Sequence, residues 1–444
     1  MVAATDTNPM TPVRTLVKAD NSPARGMRDL LPDEVVTRDH VLSTITDVYS
    51  RFGYRRIETP ALENIARLTG GQGGENEKLL YQVLRRGLPD EIAPDTTLAE
   101  LVDLGLRFDL TVPLTRFYGN NAAQLPTPFR SLQIGPVWRA ERPQKGRYRQ
   151  FYQCDIDLIG EGSVLAEAEL IEATTTALAA VGLNDMTVRL SDRRFLSALA
   201  SSAGLPQQTW DRFFIALDKL DKVGWDGVRK ELDALAMPAA AVENALDVIG
   251  QLQSAGAEKL VDVLANALPD LAENVLADLS VTTGCLDALG RDRAVAWQFD
   301  PTLVRGMGYY TGQIFEVAYA GVSSSVAGGG RYDKLIGRTL GRDVPACGFS
   351  IGFERIIDLV GNLVAKDGVA VLMEADVPIT DALAVARDLR AEGCNTEIIP
   401  RSGKMAAQLK RLEAANFGSV VVVRREGDNT VTDDIRELRS TSSQ

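Results

Sequence analysis

The chain has 444 residues, 45% of them hydrophobic and 24% charged, and a formal net charge of −12, a length that suits two or three domains rather than one. The excess of 60 acidic over 48 basic residues argues against a general nucleic-acid coat, whose binding is driven by cations against phosphate, and leaves room for a specific RNA contact by a local basic patch. No run of about 18 apolar residues occurs, so neither a membrane-spanning helix nor a membrane partner is expected.

Residues 1–22 lack the apolar block of a secretory signal and read as a flexible lead-in. The first helix should begin at Pro32, with Asp33 and Glu34 in its first turn and Gly53 at its end. It carries His40, the single histidine of the chain. Val41, Ile45, Val48 and Phe52 recur there at helical spacing, so His40 is a helix-surface residue. Ser-His-Asp and Cys-His catalysis therefore have no residue to run through, and any chemistry must use arginines, carboxylates and tyrosines.

"YRRIETPALE" follows as a strand closed by Pro60, and further strands are expected at "LRFDLTVPLTRFY", "FRSLQIGPVWRAE" and "GRYRQFYQCDIDLIG". The last two are joined by "RPQKG", which has turn chemistry and makes them an antiparallel hairpin with a long basic loop. From about Val164 to Leu289 the pattern is helical, its later part an insertion. Strands return through "AVAWQFDPTLVRGMGYYTGQIFEVAYA", "SSVAGGGRYDKLIG" and "CGFSIGFERIIDLV", so one α+β domain is interrupted by a helical block. After the linker "NLVAKDG", strand and helix alternate from "GVAVLME" to "SVVVVR" as a small α/β unit with a parallel sheet. The expected division is a tail at 1–22, an α+β domain in two parts at 23–185 and 293–365, a helical insertion at 186–292, and an α/β domain at 369–444. Cys154, Cys285, Cys347 and Cys394 lie far apart with no Cys-x-x-Cys pair. That argues against a zinc site or a disulfide framework and for a cytoplasmic protein.

The stretch from 146 to 160 is unusual for a strand. Its even positions Tyr152, Cys154, Ile156 and Leu158 form a core face. Its odd positions put Arg147, Arg149, Phe151, Gln153, Asp155 and Asp157 on the other. Arg139 and Glu141 share a face in the same way. Arginine forks suit phosphate oxygens, an aromatic face suits adenine, and a carboxylate accepts from an exocyclic amine. A salt-bridge ladder on a strand edge is the plain alternative.

These segments resemble the class II aminoacyl-tRNA synthetases, and within them the histidyl-tRNA synthetase family. "GYRRIETPALE", "VWRAERPQKGRYRQFYQCDIDLIG" and "CGFSIGFERI" resemble its three class-defining motifs. "LVRGMGYYTGQIFE" and "GGGRYDKLIG" resemble the histidine-specific ones, and "LDKLDKV" the eukaryote-like branch. The resemblance runs from about residue 24 to 360 and implies an antiparallel-sheet catalytic domain with a helical insertion and a C-terminal anticodon-binding-like domain. It implies a histidine–tRNA ligase that uses L-histidine, ATP with Mg2+ and tRNA(His), works as a homodimer, and has no protein-bound metal of its own. Arg139 and Arg305 would be catalytic. ATP would be held by Arg139, Glu141, Arg147, Phe151 and Arg355. Histidine would be held by Asp109, Leu110, Thr111, Arg139, Gln153, Asp157, Arg305, Tyr309, Tyr310 and Tyr332, with Gly328 to Gly330 allowing close backbone approach. Arg149 and Asp155 are expected to pair with each other. In the last domain Arg401, Lys404, Lys410 and Arg411 are candidates to face RNA.

Two departures stand out. Gly308 replaces the acidic residue that the family places before the tyrosine pair, and the family adds another helix after "TVTDDIRELRSTSSQ". Two other readings remain open: a catalytically silent regulatory paralogue of histidine biosynthesis, and an enzyme that passes histidyl-adenylate to a non-tRNA acceptor.

Overall fold

The computed structural model describes residues 21–70, 79–89, 91–142, 147–254, 259–293, 295–305, 309–322, 324–363 and 367–438. Most of the expected tail, the tip of the basic loop with Lys145, and Gly308 lie outside the described residues. The opening helix is Pro32–Arg51, with Asp33 and Glu34 in its first turn. Gly53 follows at φ 82°, a conformation that costs other residues and ends the helix.

The chain divides into two compact units. One holds the described residues up to Leu30 with Val41–Val360, and the other holds Leu31–His40 with the described residues from Gly361 on. In the first unit the strands are β1 (Arg55–Arg56), β2 (Leu62–Asn64), β3 (Gln82–Leu84), β4 (Val102–Leu106), β5 (Phe129–Trp138), β6 (Gln150–Ile159), β7 (Met186–Asp192), β8 (Ala296–Phe299), β9 (Gln313–Tyr319), β10 (Ala327–Arg331) and β11 (Ala346–Gly352). Eight of them form one sheet in the order β1-β5-β6-β11-β10-β9-β7-β8. It is antiparallel except at its two edges, β1–β5 and β7–β8. β2, β4 and β3 make a separate three-stranded sheet.

The hairpin of β5 and β6 is as expected, paired from Phe129↔Ile159 to Trp138↔Gln150. Cys154, Ile156 and Leu158 are fully buried in the main apolar cluster. Each buried aliphatic side chain contributes about 1.5–3 kcal/mol. A one-residue slip would exchange the two faces and put Asp155 and Asp157 into that cluster, so the register is strongly specified. Directly paired residues share a face. Gln133, Asp155, Ser350, Gly328 and Glu316 are partners across β5, β6, β11, β10 and β9. The adjacent row on the same face is Ser131, Asp157, Gly348 and Gly330.

Three expectations are corrected. "TVPLTRFYGNN" is a helix, Thr111–Asn121, not a strand. The Asp109 carboxylate accepts from the Val112 amide at 3.0 Å, and Pro113 sits in the first turn, where its missing N–H costs nothing. "YRRIETPALE" contributes only the two-residue β1 and the start of β2 rather than one strand. The block expected to be helical from 186 opens with strand β7, where Met186, Val188 and Leu190 alternate inward; helix begins at Arg193. The helices from Arg193 to Arg293 share one continuous apolar cluster with the sheet.

The second unit has three parallel strands in the order β13-β12-β14, where β12 is Gly368–Met373, β13 is Thr396–Pro400 and β14 is Phe417–Glu426. Helices Ile379–Ala391 and Met405–Ala414 connect them, and β15 (Asn429–Thr432) adds antiparallel to β14. Arg401, Lys404, Lys410 and Arg411 are exposed, with Arg401 engaged by Glu374.

Candidate active site

A cleft of about 510 Å3 opens on the sheet face that carries the two rows. It is lined by Asp109, Thr111, Arg139, Glu141, Arg147, Phe151, Gln153, Asp157, Arg305, Tyr309, Tyr310, Tyr332 and Arg355. Segments more than 240 residues apart in sequence thus supply one concavity. Leu110 is the exception: it is buried, and its carbonyl accepts from Gln133 Nε2 at 3.0 Å. The expected Arg149–Asp155 pair does not form. Arg149 donates to the carbonyls of Glu141 at 3.0 Å and Arg25 at 3.3 Å, while Asp155 contacts Gln153.

One part of the cleft is built of buried acceptors. Asp109 is 2% exposed, and burial pushes its carboxyl up to about 6, with the Val112 amide and Arg139 opposing. Asp157 is 3% exposed. Burial pushes it up to about 7, the Tyr332 hydroxyl opposing and the Asp109 charge adding. Tyr332 Oη donates to Asp157 Oδ1 at 2.5 Å. The other oxygens, Asp109 Oδ2 and Asp157 Oδ2, are buried without a partner among the described residues, as is Gln153 Oε1. Buried acceptors left unpaired are costly, so these three oxygens define a place for a donor-rich ligand. The Tyr309 ring packs at 4.7 Å from that of Tyr310 and 5.9 Å from that of Tyr332.

The rest is cationic. Arg139 donates to the Phe108 carbonyl at 2.9 Å, and its guanidinium lies 5.1 Å from the Phe151 ring centre. Arg147 lies 3.9 Å from Glu141, and Arg355 donates to the Ser325 carbonyl. Arg305 Nη1 pairs with Glu316 Oε1 at 2.8 Å, and its backbone adopts φ 55°, a strained conformation for a residue with a side chain. Burial and the charges of Arg147, Arg305 and Arg139 together lower the Arg355 pKa. Four guanidiniums so close favour a polyanion between them.

Glycines make the close approaches possible. A side chain at Gly328 would meet Arg305 Nη1 at 1.5 Å, and one at Gly348 would meet Asp157 Oδ1 at 2.1 Å. Gly328 to Gly330 are strand residues of β10.

Residues 26–356 match the family model described as Histidyl-tRNA synthetase. The chain belongs to the histidyl-tRNA synthetase family. It is 49% identical over 413 residues to a histidine–tRNA ligase of Leifsonia xyli subsp. xyli, covering 90% of this chain and 95% of that protein. A histidine–tRNA ligase of Bacteroides fragilis is 34% identical over 438 residues, 94% of each chain. The crystal structure of histidyl-tRNA synthetase from Nostoc sp. PCC 7120 superposes with a TM-score of 0.76, at 24% identity, over 94% of this chain and 97% of that one. The antiparallel sheet with its helical block is therefore the class II fold of histidyl-tRNA synthetases.

Sequence reasoning missed several residues that line the cleft of this histidyl-tRNA synthetase family member: Phe108, Tyr148, Asp218, Glu316, Ser350 and Glu354. Glu316 had a signal, as the lone charge in the otherwise apolar "QIFEVAY" of β9. Ser350 had none, because its role depends on which strands become neighbours.

Proposed function

We propose that the chain is a histidine–tRNA ligase. It joins L-histidine to ATP, giving histidyl-adenylate and pyrophosphate, then transfers the histidyl group to the 3′ end of tRNA(His) with release of AMP. The observation that carries this reading is the two-part cleft: unpaired buried acceptors on Asp109, Gln153 and Asp157 share one cavity with Arg139, Arg147, Arg305 and Arg355.

Asp109 and Gln153 would accept from the α-ammonium, with Thr111 beside them. Asp157, held by Tyr332, would accept from an imidazole N–H, and Tyr309 and Tyr310 would enclose the ring. A carboxylate oxygen of histidine attacks the α-phosphorus as the bond to the pyrophosphate oxygen breaks. Arg139 and Arg305 would hold the negative charge of that transition state, and Arg147 and Arg355 the outer phosphates. Such fixed cations stabilise it without reorganisation. Phe151 would stack on adenine and Glu141 would accept from its amine. Magnesium would enter with ATP. In such sites it is held by one or two carboxylates together with substrate phosphates, and the cleft lining includes the carboxylates of Glu141, Glu316 and Glu354. The transfer step follows by attack of the terminal ribose hydroxyl on the adenylate carbonyl.

Residues 369–444 are proposed as the anticodon-binding domain, supported by exposed Lys404, Lys410 and Arg411. A homodimer is supported by exposed Leu62, Leu84 and Leu98 on and beside the three-stranded sheet. A cytoplasmic site of action is supported by four free cysteines, and no described helix is long and apolar enough to cross a membrane. A silent regulatory paralogue is disfavoured, because Arg305 lines the cleft and the second unit is present.

The test is exchange of labelled pyrophosphate into ATP with each amino acid in turn. Exchange should depend on histidine alone. Absence of exchange with histidine, or equal exchange with another amino acid, would overturn the proposal.

A further inference from the structure

We propose that Asp155 is a positioning residue that orients the Gln153 carboxamide, so that its Oε1 faces the ammonium group of the amino acid. This rests on the reading above of where that ammonium binds.

A carboxamide has a donor end and an acceptor end of nearly the same shape, and only its neighbours decide which way it points. Gln153 is paired on either side with Gly135 and Gly352, so no cross-strand side chain at those positions holds it. Its Nε2 instead reaches Ser350 Oγ at 3.1 Å and the Asp155 oxygens at 3.3 and 3.4 Å. Ser350 and Asp155 are themselves register partners, so two strands present acceptors to the same amide nitrogen. Turning the amide over would take its N–H groups away from the three oxygens they now reach. With Nε2 held in this way, Oε1 is left buried in the cleft without a partner among the described residues. A cationic ligand can use that oxygen, whereas the reversed amide would oppose it with N–H groups.

Asp155 is 4% exposed, and burial with the Asp157 charge keeps its carboxyl well above the usual carboxylate range, Ser350 opposing. Among the described residues no salt bridge is made to Asp155; its oxygens face the Gln153 amide nitrogen instead, which fits a role in fixing a neighbour.

The experiment compares three ligands by calorimetry on the full chain: histidine, histidinol, and the analogue of histidine that lacks the α-amino group. For Asp155→Ala, affinity for histidine and histidinol should fall about tenfold, because hydrogen bonds to charged groups are the strong ones. The des-amino analogue should bind within about twofold of the parent, since nothing it touches has moved. Asp155→Asn keeps an acceptor oxygen for Nε2 and should recover most of the preference for amino-bearing ligands. Should Asp155→Ala not fold, Ser350→Ala removes the other acceptor and should reduce the same preference by about threefold. Equal weakening of all three ligands, or an unchanged preference in a folded Asp155→Ala, overturns the role of Asp155; if that variant does not fold, an unchanged preference in Ser350→Ala does so. If the parent protein itself binds neither histidine nor histidinol, the underlying assignment of the cleft fails instead.

Discussion

Arg305→Ala is expected to slow histidine-dependent pyrophosphate exchange by about 10²–10³-fold at saturating substrates, the usual loss when one preorganised charge partner of a transition state is removed. Histidine binding should change far less, because charge builds up at phosphorus only as the bond to pyrophosphate breaks. Three features single out this arginine. It is fixed by Glu316 at 2.8 Å, its backbone is held at φ 55°, and its guanidinium occupies the space above Gly328 that any side chain would need. Gly328→Ala should therefore mimic part of the loss by displacing the guanidinium. Steady-state exchange kinetics check both; activity within a few-fold of the parent in Arg305→Ala would remove it from the reaction.

Asp157→Asn is expected to raise the KM for histidine by about 10²-fold or more in the same assay, since a site built to accept a hydrogen bond loses heavily when the acceptor is altered. The KM for ATP should stay nearly constant. The same substitution should change stability in a pH-dependent way. Burial moves the Asp157 carboxyl from its usual 3.8 to about 7. Between these values the folded chain keeps a proton that the unfolded chain releases. Stability is thus lost as pH rises from about 4 to about 7 and stays lost above that. Asparagine carries no such penalty, so the variant should melt above the parent at pH 8, with the gap narrowing toward pH 4. A gap independent of pH would mean that Asp157 is ionised freely in the folded protein.

Much of this was legible in the sequence because strand alternation is local information. Phe151, Gln153 and Asp157 follow from period two on β6, whereas Arg139 and Glu141, expected on one strand face, lie just past the end of β5 at Trp138. Other residues depended on the order of strands in the sheet. Ser350 and Glu316 reach the cleft only because β11 and β9 flank β10, and no local pattern encodes that. Arg149 and Asp155 were expected to share a strand face, yet β6 begins only at Gln150 and leaves Arg149 before it. Arg149 turns to backbone carbonyls at the mouth of the hairpin and Asp155 stays inside. The helix at Thr111–Asn121 was hidden by β-favouring residues, although the Asp109 carboxylate accepts from the Val112 amide in its first turn. Strand β7 was hidden for the opposite reason, by an Ala- and Leu-rich helical context on both sides.

The most direct measurement is the charging of unfractionated deacylated tRNA with labelled histidine in the presence of ATP and magnesium. A histidine–tRNA ligase should produce acid-precipitable, base-labile histidine on tRNA, at a level that saturates with the tRNA(His) content and vanishes when ATP is omitted. Histidine-dependent pyrophosphate exchange without any charged tRNA would contradict the assignment and mark an enzyme that passes histidine elsewhere.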